Sequence, residues 1–187
     1  TSEASCAPVV NQARVSGAEI DPALANNTAS AASSVWLDDF ARPDGPLGGV
    51  WGGVLTRYQV AGEAGVARFG DPIYWPEGYG PEQTACVTLV HIDPLSTHHS
   101  LMLKVRGHND YGPGAILVSY NAISQTVDVE SRLPSGLWAL NASFPMTLVA
   151  GDRLGARALA DGRVEVYVNN GLIGLADAGP FYAGQGG

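Results

Sequence analysis

The chain has little positive charge, few cysteines and no long apolar run. Only 10 of its 187 residues are Lys or Arg, against 18 Asp or Glu, and the formal charge is -8. The basic residues do not cluster, so nothing in the sequence would hold a phosphate backbone, and we expect no nucleic acid partner. No apolar segment approaches the ~20 residues that cross a bilayer, so we expect no membrane insertion.

The two cysteines, Cys6 and Cys86, are too few for a metal site of their own and too far apart to resemble a redox pair. We interpret them as one disulfide, within a chain or between two chains, with free thiols as the alternative. Inward-facing Ala85 and Val87 would turn Cys86 outward, where it could bond Cys6. Because disulfides persist outside the cytosol, we predict an extracellular or cell-surface protein.

Glycine and proline are abundant, with 24 and 12 copies, and 45% of the chain is hydrophobic. This composition favours a turn-rich, all-β fold, and no window predicts a helix longer than about one turn. The predicted strands after the N-terminal region are residues 35–40, 54–60, 64–69, 83–92, 99–106, 115–121, 125–132, 145–149, 153–160, 163–169 and 171–177. Asn170-Gly171 gives the strongest hairpin signal.

Residues 1–34 differ from the rest and are predicted to form a separate N-terminal strand arm, a hairpin of residues 9–16 and 28–35. The segment NQARVSGAEIDPALANNTASA resembles the last two strands of a repeat found in large bacterial surface proteins. An isolated hairpin is marginal in water, so we expect the arm to need a partner.

Residues 36–187 carry several ordered blocks: DDF-x-R-x-DGPLG-x-x-W, YWPEGYGPEQTACVTL, ILVSYN, VEVYVNNGLIGLAD and PFYAGQGG. Together they resemble bacterial concanavalin A-like (laminin-G-like) jelly-roll domains. The resemblance implies a two-sheet antiparallel jelly-roll sandwich over residues 35–187. Members of this group bind sugars or matrix partners, often with a structural calcium ion, and some relatives cleave polysaccharides.

In related domains a last strand follows the glycine-rich tail, whereas here the tail ends at Gly186-Gly187. We therefore expect an unpaired sheet edge, which the arm could cover in its own chain or in a neighbouring copy.

By the same resemblance, Asp39 of the DDF block and Asp177 of the LADAGPFY block are predicted to hold calcium through carboxylate oxygens. Ordinary exposed aspartates at turns are the equal alternative.

Sugar binding requires aromatic platforms beside a few polar groups. Tyr74, Trp75 and Tyr79 lie in the segment DPIYWPEGYGPEQ, and Tyr111 lies in GHNDYGPG. These segments could meet at one rim of the sandwich. Trp75 is as consistent with core packing as with ligand contact.

Catalytic signatures are incomplete. Laminarinase-type enzymes on this fold carry Glu-x-Asp-x-Glu on one strand face, but here Thr126 precedes Asp128 and Glu130, so the nucleophile is absent. His98 and His99 would point to opposite faces of a strand and could not ligate one metal ion together.

The sequence therefore predicts a non-catalytic extracellular module that binds a polysaccharide, a cell-surface glycan or matrix. The rival hypothesis is a filament subunit that self-associates by donating its N-terminal strand. A polysaccharide lyase or hydrolase is a weaker third hypothesis.

Overall fold

The computed structural model describes residues 10–14, 28–32, 37–49, 51–68, 70, 72–107 and 114–187. Within these ranges the chain is nearly all β, and its helical content is two single turns of 3-10 helix, Leu55–Arg57 and Pro180–Tyr182. The strands are β1 (Val10–Arg14), β2 (Thr28–Ala32), β3 (Gly45–Pro46), β4 (Gly52–Gly53), β5 (Tyr58–Val60), β6 (Gly65–Ala67), β7 (Ile73–Tyr74), β8 (Gln83–Thr88), β9 (His99–Arg106), β10 (Gly114–Asn121), β11 (Thr126–Arg132), β12 (Trp138–Pro145), β13 (Arg153–Ala158), β14 (Arg163–Val168) and β15 (Gly171–Asp177).

Two four-stranded antiparallel sheets form the sandwich. The first sheet has the order β12-β11-β10-β9, and the second has the order β15-β14-β13-β8. The chain crosses from the second sheet to the first after β8 and returns after β12. The predicted all-β, two-sheet antiparallel sandwich is thus confirmed.

Alternating side chains explain why these segments form strands around one core. In β11, Val127 and Val129 are fully buried, whereas Asp128 and Glu130 on the other face are half-buried. In β14, Val164 and Val166 are fully buried in the same cluster. The cluster draws on both sheets. Its apolar side chains are removed from water in the interior of the sandwich, and this burial stabilises the fold.

The β12 and β15 edges approach each other where both strands carry a bulge. The register shifts place one extra residue, Asn141, in β12 and one, Ile173, in β15. The Phe144 ring packs against Gly174 so closely that a Cβ there would overlap it. The Asn141 amide also donates to the Asp177 carbonyl at 3.0 Å. One side of the sandwich is therefore closed by side-chain contact between the sheets.

The predicted N-terminal hairpin is confirmed, because β1 and β2 pair antiparallel with Val10 opposite Ala32 and Arg14 opposite Thr28. These strands belong to one compact unit, and residues 38–187 belong to another. The predicted domain boundary between residues 34 and 35 stays a prediction. A two-stranded sheet of β4 and β7 and a three-stranded sheet in the order β3-β5-β6 also belong to the second unit.

Several strand predictions differ from the structure. The segment predicted at 54–60 contains the 3-10 turn Leu55–Arg57, and the strand predicted at 83–92 ends at Thr88. The segment predicted at 35–40 is irregular over its described part, residues 37–40, because Asp38 and Phe40 form a turn instead. The strand predicted at 145–149 lies earlier, as β12. In β12 the bulge at Asn141 breaks the period-two alternation between Leu140 and Ala142, so the pattern before it does not continue after it.

No helix among the described residues is long and apolar enough to cross a membrane.

Candidate functional site

Asp38 is the centre of a polar cluster at the start of the second unit. Arg42 donates two hydrogen bonds to its carboxylate, at 2.6 and 3.0 Å, and the Trp51 indole donates a third at 2.7 Å. The backbone N–H of Phe40 adds a fourth at 2.9 Å. With both oxygens engaged by donors, this carboxylate is suited to hold the loop together rather than to bind a metal ion.

Hydrogen bonds from Arg42 are the main reason that the pKa of Asp38 falls to about 2, with further lowering by Trp51 and Phe40 against the opposing effect of burial. The Asp38 side chain is only 10% exposed. Its charge is therefore stabilised by directed donors in a place that water barely reaches.

The aromatic residues of this region pack on one another. Trp51 lies 4.4 Å from Trp75, centroid to centroid, in an edge arrangement, and Phe40 stacks on Trp51 at 6.4 Å. The Tyr74 ring covers Gly52, where an added Cβ would lie 2.6 Å from the ring. Tyr74 and Trp75, which were predicted to bind ligand, therefore pack against other residues of the fold, and both are half-buried.

Among the described members of the predicted aromatic set, Tyr79 is the most exposed, at 37%. Its backbone pairs with Gly187, whose N–H donates to the Tyr79 carbonyl at 3.1 Å and whose carbonyl accepts the Tyr79 N–H. The glycine tail that the sequence predicted to leave an edge unpaired is thus hydrogen-bonded to the Tyr79 segment. Tyr111 lies outside the described residues, and the predicted rim of Tyr74, Trp75, Tyr79 and Tyr111 stays a prediction.

The first sheet presents a second polar and aromatic surface, on the side away from the core. We call it the outer face, and it consists of Ser100 and Met102 on β9, Leu117 and Ser119 on β10, Asp128, Glu130 and Arg132 on β11, and Trp138, Leu140 and Ser143 on β12. Period-two alternation places these side chains opposite the core residues of the same strands, and Ser119, at 2% exposed, is buried in the middle of the face.

Strand register arranges the outer face in cross-strand rows. One row runs Ser100, Ser119, Asp128, Ser143. Within it the Ser100 and Ser119 hydroxyls are 2.6 Å apart, and the Ser143 hydroxyl donates to Asp128 at 2.5 Å. The next row runs Met102, Leu117, Glu130, Leu140. Hydroxyls and carboxylates therefore lie directly beside apolar side chains.

Trp138 ends the outer face. It is 37% exposed, and the Arg132 guanidinium carbon lies 5.8 Å from its ring centroid. Leu140, two residues along the same strand, is 62% exposed. An aromatic ring steadied by a cation beside an exposed aliphatic group forms a surface on which the apolar side of a ring-shaped ligand can rest.

Sequence reasoning did not identify Trp138, Leu140 and Arg132 as candidate site residues. It recognised the outward Asp128 and Glu130 but interpreted them only as a solvated strand face. The available signal was the turn at Pro134-Ser135-Gly136, which predicts a hairpin and would have paired Arg132 with Trp138.

Asp39 and Asp177, the predicted calcium ligands, each form a local turn. The Asp39 carboxylate accepts the Ala41 N–H at 3.0 Å, and the Asp177 carboxylate accepts the Gly179 N–H at 2.8 Å. Over the described ranges no three His, Cys, Asp or Glu side chains gather into a metal-binding group. Calcium at these residues would therefore need backbone carbonyl oxygens as further ligands, and the site stays a prediction.

Cys86 is disulfide-bonded. Its predicted partner, Cys6, lies outside the described residues, so the Cys6–Cys86 pairing stays a prediction. The expected alternation is present, because Ala85 and Val87 pack against the core. On the other side of the sheet Cys86 lies beside Gly155, where an added Cβ would be 3.2 Å from the cysteine sulfur.

A buried lysine joins the C-terminal segment to the first sheet. Lys104 is fully buried, and its ammonium donates to the carbonyls of Leu159 and Tyr182, both at 2.8 Å. It occupies the β9 bulge with φ of 50°. Burial lowers its pKa below the ordinary value, while Asp161 and Glu82 oppose that shift. Its role is to satisfy two carbonyls that face the interior.

Comparison with known proteins gives a fold relationship. No protein-family model matches the chain, and no curated protein matches it. Among solved structures, the carbohydrate-binding module CBM66 from Bacillus subtilis matches with a TM-score of 0.52 and 15% identity, over 77% of this chain and 83% of that one. At this identity the match shows the shared fold alone, a β-sandwich.

Proposed function

We propose that the chain is a non-catalytic carbohydrate-binding module of an extracellular bacterial protein and that its outer face contacts the glycan. The observation that carries the proposal is the outer face itself, where Trp138 and Leu140 are exposed beside the hydroxyl and carboxylate row of β11 and β12. Sugars combine apolar ring faces with hydroxyl groups, and this surface offers a partner for each.

The fold relative named as a carbohydrate-binding module supports the same proposal. The disulfide at Cys86 supports an oxidising, extracellular location. Thr126 at the position where a nucleophilic glutamate would stand supports a binding rather than a hydrolytic role.

The aromatic rim predicted from sequence is the competing location for the same function. Trp75 packs against Trp51, and Tyr74 covers Gly52, so these rings support the local fold. Tyr79 retains an exposed ring. No described contact favours the filament hypothesis, and self-association through the arm stays a prediction.

The test is glycan-array binding by the full chain and by four variants. We expect Trp138→Ala and Leu140→Ala to weaken binding, the first by about tenfold or more, as for a central aromatic contact. Leu175→Ala is the matched control, because Leu175 is 47% exposed on β15 of the second sheet.

Tyr79→Ala separates the two locations. Loss of binding in Tyr79→Ala, with Trp138→Ala unchanged, would move the site to the aromatic rim. Absence of binding to any glycan by the correctly folded wild-type chain would refute the proposed function.

A further inference from the structure

We infer that the outer face selects an uncharged glycan chain lying along β11 and β12 and rejects uronate-containing or sulfated chains. This inference rests on the proposed function and specifies its ligand. It starts from the distribution of charge on the outer face, where Asp128 and Glu130 stand beside a single cation, Arg132.

The three residues follow one strand at alternate positions. From Asp128 to Arg132 the strand advances four residues, which is about 13 Å at the usual rise. Their partners on β12 are Ser143, Leu140 and Trp138 in the same direction. A ligand along this track would meet a hydroxyl and carboxylate first, an aliphatic group and carboxylate next, and the aromatic ring with the guanidinium last.

Carboxylates at the first two positions suit a ligand that donates hydrogen bonds. The carboxylate oxygens of Asp128 and Glu130 accept hydrogen bonds, and sugar hydroxyls can donate to them. The Ser143 hydroxyl already donates its proton to Asp128, so it offers lone pairs to a further donor. Two of the three positions along the track, those of Asp128 and Glu130, therefore favour a ligand whose hydroxyl groups donate hydrogen bonds.

The same carboxylates oppose an anionic ligand. A uronate or sulfate beside Asp128 or Glu130 would meet a like charge, and the whole chain adds its formal charge of -8. Arg132, the cation that could attract an anion, lies over the Trp138 ring at 5.8 Å. The guanidinium is thus placed to support the aromatic platform at the far end of the track.

The experiment compares neutral and acidic polysaccharides by affinity electrophoresis and array binding, at low salt and at 0.5 M NaCl. We expect neutral chains to bind, with little change in salt because no ion pair is screened. Binding should fall at least tenfold in Trp138→Ala and should also fall in Leu140→Ala, at a position that is 62% exposed.

Charge variants test the selection directly. Glu130→Lys should gain binding to uronate-containing chains at low salt and lose that gain at 0.5 M NaCl, whereas Glu63→Lys, at an exposed turn outside the outer face, should not. An unchanged acidic-glycan response in Glu130→Lys would overturn the selection by charge.

Different results would refute the proposed function and the selection of uncharged chains. Wild-type binding to acidic chains that Trp138→Ala abolishes would overturn the inference and leave the proposed function standing. Failure to bind both neutral and acidic chains would overturn the proposed function and the inference with it.

Discussion

At the scale of single residues, the Asp38 carboxylate organises the start of the second unit. It receives donors from Arg42, Trp51 and Phe40 and is almost inaccessible to water. Removing one partner of such a group leaves the others without their acceptor, which costs more than the hydrogen bond alone contributes. The residue thus ties the start of the second unit to the aromatic row of Phe40, Trp51 and Trp75.

We predict that Asp38→Asn lowers the free energy of unfolding by about 1–2 kcal/mol at pH 7, because it removes the charge that Arg42 and Trp51 stabilise. The folded pKa of Asp38 is lowered to about 2. Its stabilisation is therefore complete above the unfolded pKa near 4 and is lost as pH falls toward 2. Urea unfolding at pH 7, 4 and 2.5 measures the effect.

Asp39→Asn is the control for this comparison, in buffer with EDTA. Asp39 is exposed and accepts one backbone hydrogen bond, which asparagine can keep. An equal loss in both variants, or a loss in Asp38→Asn that is undiminished at pH 2.5, would show that the Asp38 charge is not the cause.

At the scale of elements, β12 and β15 determine how the two sheets meet. Each strand carries a bulge, at Asn141 and at Ile173, and Phe144 of β12 fills the space above Gly174 of β15. A glycine weakens a strand by itself, so its presence here reflects the close approach of the aromatic ring.

We predict that Gly174→Ala destabilises the chain by about 1–3 kcal/mol through overpacking against Phe144. In the double variant Gly174→Ala/Phe144→Ala, the added methyl has room, so the two changes should cost less together than their sum. Gly78→Ala is the control, since a Cβ at Gly78 meets no atom within 4 Å. Additive effects in the denaturant-unfolding cycle would contradict the packing explanation.

Sequence patterns predicted the elements well where alternation was regular. β10, β11, β14 and β15 lie within a residue or two of their expected bounds, because apolar alternation and turn residues agree there. The prediction misplaced β12 because the bulge shifts the alternation of buried and exposed residues, and the amino-acid composition does not reveal a bulge. The outer face was missed for the same reason, since its aromatic end depends on that strand.

At the scale of the whole molecule, the untested expectation with the widest effect is calcium. Asp39 and Asp177 lie 138 positions apart in the chain, and an ion held by both would connect the start of the second unit to the end of β15. An ion that binds only the folded state raises stability in proportion to the logarithm of its concentration.

We predict that calcium raises the melting temperature relative to EDTA and that Asp39→Asn and Asp177→Asn each abolish the rise. At 100 times the dissociation constant, the gain would be about 2.7 kcal/mol. Magnesium serves as the control ion, because it demands tighter octahedral geometry. Coincident melting curves in calcium and EDTA would refute the prediction and favour ordinary turn aspartates.

The buried amine of Lys104 has a consequence for the chemistry of the folded chain. Lys104 is the single lysine of the sequence, and its nitrogen is fully buried between two carbonyls. Acylating reagents and lysine-specific proteases therefore meet no side-chain amine until the segment around Tyr182 separates from β9. The rate at which Lys104 reacts therefore reports that opening, and no surface lysine of this sequence contributes to the signal.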